Sequence, residues 1–220
     1  MNFKAAIFDM DGTLVDSLML LDIMWIKLGE KFLGDRNFHP TPEDDKAIRT
    51  MPLTNIAHLL HLNYGMGESV EEVLEFLNIV MDDFYGNDVK LKSGVKEFLE
   101  YCREKGIRMC IASATAPELI KIALKNCSVY HYFEKIFSCA VSGKGKEFPD
   151  VFISALEYLK FSVEDICVFE DSLVAIKTAN KIGMKTVGIY DKYNFGQEQI
   201  KEIADIYVGK DENLTKLVLD

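Results

Sequence analysis

The first apolar run in the chain, Ala5-Ala6-Ile7-Phe8, is short and unbroken and gives way at once to Asp9-Met10-Asp11-Gly12. Continuous rather than alternating hydrophobicity over so short a stretch predicts a strand covered on both faces. From Ser17 the period changes. Leu18, Leu21, Trp25, Leu28 and Phe32 recur at spacings of three and four, which predicts an amphipathic helix over 17–33 with Ser17 as its N-cap. Gly34, Asn37, Pro40 and Pro42 interrupt that pattern, and helical spacing returns over about 54–64 and 70–85. No strand pattern occurs between Ser17 and Lys90.

Beyond Gly94 the two periods alternate. Helical patterns over about 94–105, 116–126, 149–160 and 172–182 are separated by apolar runs at 107–112, 136–141, 166–169 and 185–190. Gly106 and Gly183 follow two of these helices and Pro149 opens a third, as expected of glycine past a helix end and proline in a first turn. A short run at 206–208 and a terminal helix complete the series. Regular alternation predicts parallel strands joined by crossovers, hence an α/β fold with a doubly wound, Rossmann-like parallel sheet. A crossover needs about a dozen residues or somewhat more, whereas the helical stretch before Lys90 runs to roughly seventy. The surplus predicts an inserted α-helical cap domain over 17–89, carried on a core domain formed by 1–16 and 90–220. Asp16-Ser17 would be the outgoing hinge, and Gly86-Asn87-Asp88 with the Lys90 to Gly94 segment the return.

Open α/β sheets bind ligands beyond the carboxyl ends of their strands, so the residues that follow each apolar run are the candidates for chemistry. Asp9 and Asp11 leave the first run within one turn. Ser113-Ala114-Thr115 follows the run at 107–112 and offers a hydroxyl and backbone N–H groups entering a helix, a natural anion site. Lys144 and Lys146 lie after the next run, just before Pro149. A lysine there can reach into the crevice as a fixed positive charge, and a merely solvated role suits Lys144 better than Lys146. This Gly-Lys-Gly-Lys segment is not a P-loop, because position 138 is Ser and Lys144 precedes Gly. Glu170-Asp171 ends the run at 166–169. Carboxylates gathered against buried strands repel one another and resist desolvation, so a cation is expected among them. Hard oxygen donors point to Mg²⁺, with Asp9, Asp11, Glu170 and Asp171 as candidate ligands.

Composition narrows the partners. With 220 residues, 49% hydrophobic and 27% charged, the chain can bury an ordinary globular core. A formal net charge of −10 leaves no basic surplus to neutralise a nucleic-acid backbone, so any phosphate must be attracted locally. The five cysteines are scattered without a CxxC pair and read as buried thiols of a reducing compartment. The N-terminus enters a strand without a signal-peptide pattern, and no apolar stretch is long enough to span a membrane. The expectation is a cytoplasmic protein, a monomer, with neither membrane nor nucleic acid as partner.

Taken in order, these strand ends resemble the motifs of the haloacid dehalogenase-like (HAD) hydrolases. The segment Asp9-Met10-Asp11-Gly12-Thr13-Leu14-Val15-Asp16-Ser17 is similar to the family's first motif, DxDGTLxDS. The resemblance makes Asp9 the nucleophile that forms an aspartyl-phosphate and Asp11 the general acid/base. Ser113, with Ala114 beside it, matches the phosphate-binding hydroxyl of the second motif. Lys146-Glu147-Phe148-Pro149-Asp150 sets Lys146 on the lysine of KPxPD, with Glu147 where proline is usual. Glu170 and Asp171 match the metal-binding acids of the fourth. The cofactor implied is Mg²⁺, and the activity is phosphatase action on a small phosphorylated metabolite such as a sugar phosphate.

A cap between the first and second motifs resembles the β-phosphoglucomutase and phosphoglycolate phosphatase branch. The mutases carry a histidine where this chain has Leu21 and a lysine where it has Ala116, which favours a phosphatase over the alternative mutase. The paired aspartates set the chain apart from phosphonatases and dehalogenases. The helical insertion sets it apart from phospho-receiver domains, and a complete catalytic set from a non-catalytic phosphate-binding protein. Arg49, in the cap before Met51-Pro52, resembles a substrate-contacting arginine. His39, His58, His61 and His131 show no ligand-like grouping.

Overall fold

The computed structural model describes residues 3–48 and 51–218, apart from the side chains of Lys46 and Ser142. The chain begins with β1 (Ala5–Phe8) and β2 (Val15–Asp16), then runs through α1 (Leu20–Leu28), α2 (Pro42–Ile48), α3 (Leu53–Tyr64) and α4 (Val70–Asp83). It continues as β3 (Lys90–Leu91), α5 (Val95–Glu104), β4 (Arg108–Ser113), α6 (Pro117–Asn126), β5 (Lys135–Ser138), α7 (Cys139–Ser142) and α8 (Asp150–Leu159). The last elements are β6 (Ile166–Glu170), α9 (Leu173–Lys181), β7 (Lys185–Ile189), α10 (Gln197–Ile203) and β8 (Ile206–Val208). Two compact units result, one of Met1–Leu18 with Val89–Asp220, the other of Met19–Asp88.

In the first unit, six strands among the described residues form one parallel sheet in the order β5-β4-β1-β6-β7-β8. β1 sits between β4 and β6, with Phe8 opposite Ile111 on one side and Phe169 on the other. The chain winds outward from β1 through β4 to β5 and then builds β6, β7 and β8 on the opposite side. Strand order therefore reverses at β1, which opens a crevice beyond its carboxyl end. The doubly wound α/β fold expected from the alternation is present.

β1 takes this central place because all four of its residues are apolar and all are buried. Ala5 and Ile7 join Cys110, Ala112, Ile166 and Val168 in a core closed by Phe152 and Ala155 of α8 and Ala175 and Ala179 of α9. Phe8 packs separately. Its ring stacks on Phe169 at 4.5 Å between centroids and 21° between planes, and meets Phe98 of α5 at 6.2 Å and Phe133 at 5.9 Å edge-on. Phe8 and Phe169 immediately precede Asp9 and Glu170, so this aromatic packing sets where two acids emerge. Burial also pushes the Cys102 and Cys110 thiols up to about 12, which keeps them unreactive.

The second unit is helical, with α4 packed on both α1 and α3. The buried Trp25 donates its indole N–H to Asp45 Oδ1 at 3.1 Å, and the Tyr64 hydroxyl donates to Asp44 Oδ2 at 2.6 Å. Ser69 caps α4 by accepting from the Glu72 N–H. No helix among the described residues is long and apolar enough to cross a membrane.

Several local expectations change. Ser17 is not a helix cap: Met19 holds that position without a side-chain bond, and the Ser17 hydroxyl is used elsewhere. The run expected as a strand to 141 stops at Ser138, whose side chain accepts from the Ala140 N–H and starts α7. The terminal helix is a single 3-10 turn, Leu214–Leu217. The proline-flanked break contains α2. β2 and β3 pair antiparallel, Val15 with Leu91 and Asp16 with Lys90, in strands too short to show a period.

Truncating the stacked ring at Phe169→Ala should cost about 3–5 kcal/mol of stability, the usual range for a buried phenylalanine. Urea unfolding followed by circular dichroism reads this directly, and a loss below about 1 kcal/mol would show that the pair does not organise the sheet.

Candidate active site

Asp9 is the first residue past β1, and its backbone N–H donates to the Phe169 carbonyl at 3.0 Å, extending the β1–β6 register by one step. The chain then turns sharply. Leu14 and Val15 N–H groups both return to the Met10 carbonyl, at 2.9 and 3.0 Å, and Gly12 adopts φ +76°. Glycine is required at that position twice over. Its φ is left-handed, and a Cβ there would run into the Asp171 carboxylate.

Asp9, Glu170 and Asp171 form a buried group in which one carboxylate oxygen from each lies within 4.8 Å of the others. Lys146 lies among them, its side chain 10% exposed. Its ammonium donates to Asp9 Oδ1 at 2.6 Å and also to Glu170 Oε1. The other Glu170 oxygen accepts from the Ser172 N–H at 3.1 Å. Asp171 is held by Thr13, whose hydroxyl donates to Oδ1 at 2.9 Å, and by the Asn194 amide, which donates to Oδ2.

Burial opposes the charge on Lys146, but Asp9 and Glu170 outweigh it and hold the ammonium above the ordinary lysine value. Burial likewise pushes Glu170 up to about 7 against the pull of Lys146, with Asp9 adding to the rise. Asp171 is raised well above its usual range by burial, then by Asp9 and Glu170. Among the described residues, three carboxylates thus gather around one ammonium that contacts two of them. The two uncompensated negative charges match a divalent cation, and an all-oxygen donor set suits Mg²⁺ and its hard relatives. The residues fit such an ion.

The Asp11 carboxylate is not brought into this group. Its Oδ1 accepts from the Ser17 hydroxyl and its Oδ2 from the Thr115 hydroxyl, both at 2.6 Å. Ser113 is buried at the end of β4, where its oxygen accepts from the Thr115 N–H at 3.2 Å. Ala114 follows it, exposed, in the turn that leads to α6. Lys144 points away from the acids to Asp150 Oδ1 at 2.5 Å, so Lys146 alone of the two lysines meets Asp9. Arg49 lies outside the described residues.

Three contributors escape a reading of strand ends. Thr115 and Thr13 lie inside the segments Ser113-Ala114-Thr115 and Asp9 to Ser17, where neither had a role of its own. Asn194 had no local signal, because it reaches Asp171 from a loop 23 residues further on.

Comparison with known proteins agrees with this geometry. The family model described as haloacid dehalogenase-like hydrolase matches residues 6–189. The phosphorylated carbohydrates phosphatase of Thermotoga maritima is 25% identical, the match covering 97% of this chain and 98% of that protein. The β-phosphoglucomutase of Bacillus subtilis is 24% identical over 96% of this chain and 92% of its own. A solved structure described as "putative beta-phosphoglucomutase from Thermotoga maritima" superposes with a TM-score of 0.82 at 24% identity, covering 99% and 98% of the two chains. Matched from within β1 to the end of β7, and carrying the same architecture, the chain belongs to the haloacid dehalogenase-like hydrolase family and is an enzyme of that family.

Proposed function

We propose that this enzyme is a Mg²⁺-dependent phosphatase that hydrolyses a small phosphorylated metabolite, a sugar phosphate or similar monoester, through an aspartyl-phosphate on Asp9. The observation that carries the reading is the buried Asp9–Lys146–Glu170 contact beside Asp171, at the point where strand order reverses. Asp9, Glu170 and Asp171 would hold the cation. When bound it would neutralise charge on the phosphoryl oxygens.

The remaining steps belong to side chains. The Asp9 carboxylate attacks phosphorus in line, and the ester oxygen departs. Lys146 and Ser113, with the N–H groups of the Ala114 turn, hold the equatorial oxygens as charge spreads over them. Asp11 gives its proton to the departing oxygen and then takes one from the water that opens the acyl phosphate. Its environment supports that double duty. The Ser17 and Thr115 hydroxyls each donate to one of its oxygens and so orient the carboxylate.

The helical unit Met19–Asp88 would serve as the cap that selects substrate, with Arg49 as a substrate contact. A phosphosugar mutase is the second reading, favoured by the names of the Bacillus subtilis relative and the Thermotoga maritima structure. Against it stand Leu21 on α1 and Ala116 at the start of α6, where the mutases carry histidine and lysine. The surroundings proposed here are cytoplasmic, and the acting form a monomer.

Asp9→Asn should reduce p-nitrophenyl phosphate hydrolysis to background, and chelation of divalent metal should do the same to the unsubstituted enzyme. Metal-independent turnover untouched by the substitution would sink the mechanism. Asp11→Asn should lower kcat about 10²–10⁴-fold on an alkyl phosphate, the span of general acid catalysis. The loss should be smaller on p-nitrophenyl phosphate, whose leaving group departs without a proton, and equal losses on both substrates would remove Asp11 from the acid role. Phosphorylated sugars incubated with and without a sugar bisphosphate should release inorganic phosphate in either case. Bisphosphate-dependent conversion to an isomeric sugar phosphate would establish the mutase instead.

A further inference from the structure

The three clustered acids are not held alike. Glu170 is fixed by Lys146 and by the nearby Ser172 N–H, and Asp9 by Lys146. Asp171 makes no ion pair among the described residues and is gripped from two loops. Thr13 approaches one oxygen from the turn after β1. Asn194 approaches the other from the loop between β7 and α10, and its amide donates to the Asp171 main-chain carbonyl as well, at 3.1 Å.

The loop that delivers Asn194 is itself pinned. Asp191 is buried, and its Oδ1 accepts from the Tyr193 N–H at 2.9 Å while the Asn194 N–H donates to the Asp191 carbonyl at 3.2 Å. The Gln197 amide donates to that same carbonyl at 3.2 Å, and the Tyr207 hydroxyl of β8 holds Gln197 at 2.9 Å. The remaining Asp191 oxygen accepts from Lys92 at 2.8 Å. Lys92 also donates to the Tyr190 carbonyl at 2.9 Å and to the Gly12 carbonyl at 2.6 Å. One ammonium therefore ties the turn that carries Asp9, Asp11 and Thr13 to the loop that carries Asn194.

An amide on a carboxylate oxygen orients it without neutralising it. Where Lys146 shares its one positive charge between Asp9 and Glu170, Thr13 and Asn194 bring no charge to Asp171 and fix the plane in which its oxygens lie. Partners of this kind govern the affinity of metal sites through the ligand they hold. We propose that Asn194, kept in place by the Lys92–Asp191 ion pair, is a positioning residue that fixes the Asp171 carboxylate for a divalent cation and so sets the affinity of the site. The inference rests on the reading of Asp9, Glu170 and Asp171 as cation ligands.

The test is Mn²⁺ binding to the full chain without substrate, followed by electron paramagnetic resonance, with melting of the metal-free protein measured alongside. Asn194→Leu should weaken Mn²⁺ binding about tenfold or more, the usual cost of losing an outer partner, and leave the metal-free melting temperature within a few degrees of the original. Lys92→Met should weaken binding in the same direction by a smaller factor. Affinity within about twofold of the original in Asn194→Leu overturns the proposal, as does weakened binding accompanied by a large fall in metal-free melting temperature. Should Asn194→Leu fail to fold, Lys92→Met decides by the same two criteria. Weakening in Asn194→Leu alone overturns the part given to the ion pair. Absence of Mn²⁺ binding by the unsubstituted chain, or binding that survives Asp171→Asn, overturns the cation site itself and separates that failure from a failure of Asn194.

Discussion

The constraint on which the structure turns is the burial of three carboxylates around a single ammonium at the end of β1. Asp9, Glu170 and Asp171 are each less than a tenth exposed, and carboxylates taken out of water side by side are costly unless something answers their charge. Lys146 answers part of it through contacts to two of the three. The remainder is the electrostatic reason for a cation. The residues nearby then fall into those that neutralise, such as Lys146, and those that only orient, such as Thr13 and Asn194.

That arrangement needs a rigid base, and the apolar face of the sheet supplies it. Phe8 and Phe169 stack one residue before Asp9 and Glu170, with Phe98 closing against both rings. Rings packed at interior density resist displacement, so the acids leave their strands at a set separation. Gly12 completes the geometry from the other direction, because only a residue without a side chain lets the turn lie against Asp171.

Asp11 shows how one short turn makes two carboxylates different. Asp9 points to the lysine and the other acids, whereas Asp11 is received by the hydroxyls of Ser17 and Thr115. In the proposed reaction this separates the group that must stay charged to attack phosphorus from the group that must gain and lose a proton. The family as represented among the similar proteins carries both phosphatase and mutase names. At 24% identity the solved Thermotoga maritima structure shares the fold, with a TM-score of 0.82.

The amino-acid sequence by itself determined the fold class and the place of the central strands, because continuous apolar runs, helical spacing and glycine or proline punctuation are local signals and this chain displays them clearly over Ala5–Phe8, 107–112 and 166–169. Asp9, Ser113 and Glu170-Asp171 were legible as candidates for the same reason, since each follows such a run directly, and Asp11 stands in the turn after Asp9. Tertiary structure decided the partnerships. Lys144 and Lys146 share one loop and one chemistry, and only the path of that loop turns one to Asp150 and the other to Asp9. Ser17 reads as a helix cap until the fold places its hydroxyl on Asp11. Asn194 and Lys92 carry no motif, and their roles arise from loops that parallel strand order brings together across long stretches of chain. A hydrogen bond between distant segments depends on the register of the strands beneath them, and no periodicity along the chain encodes that register.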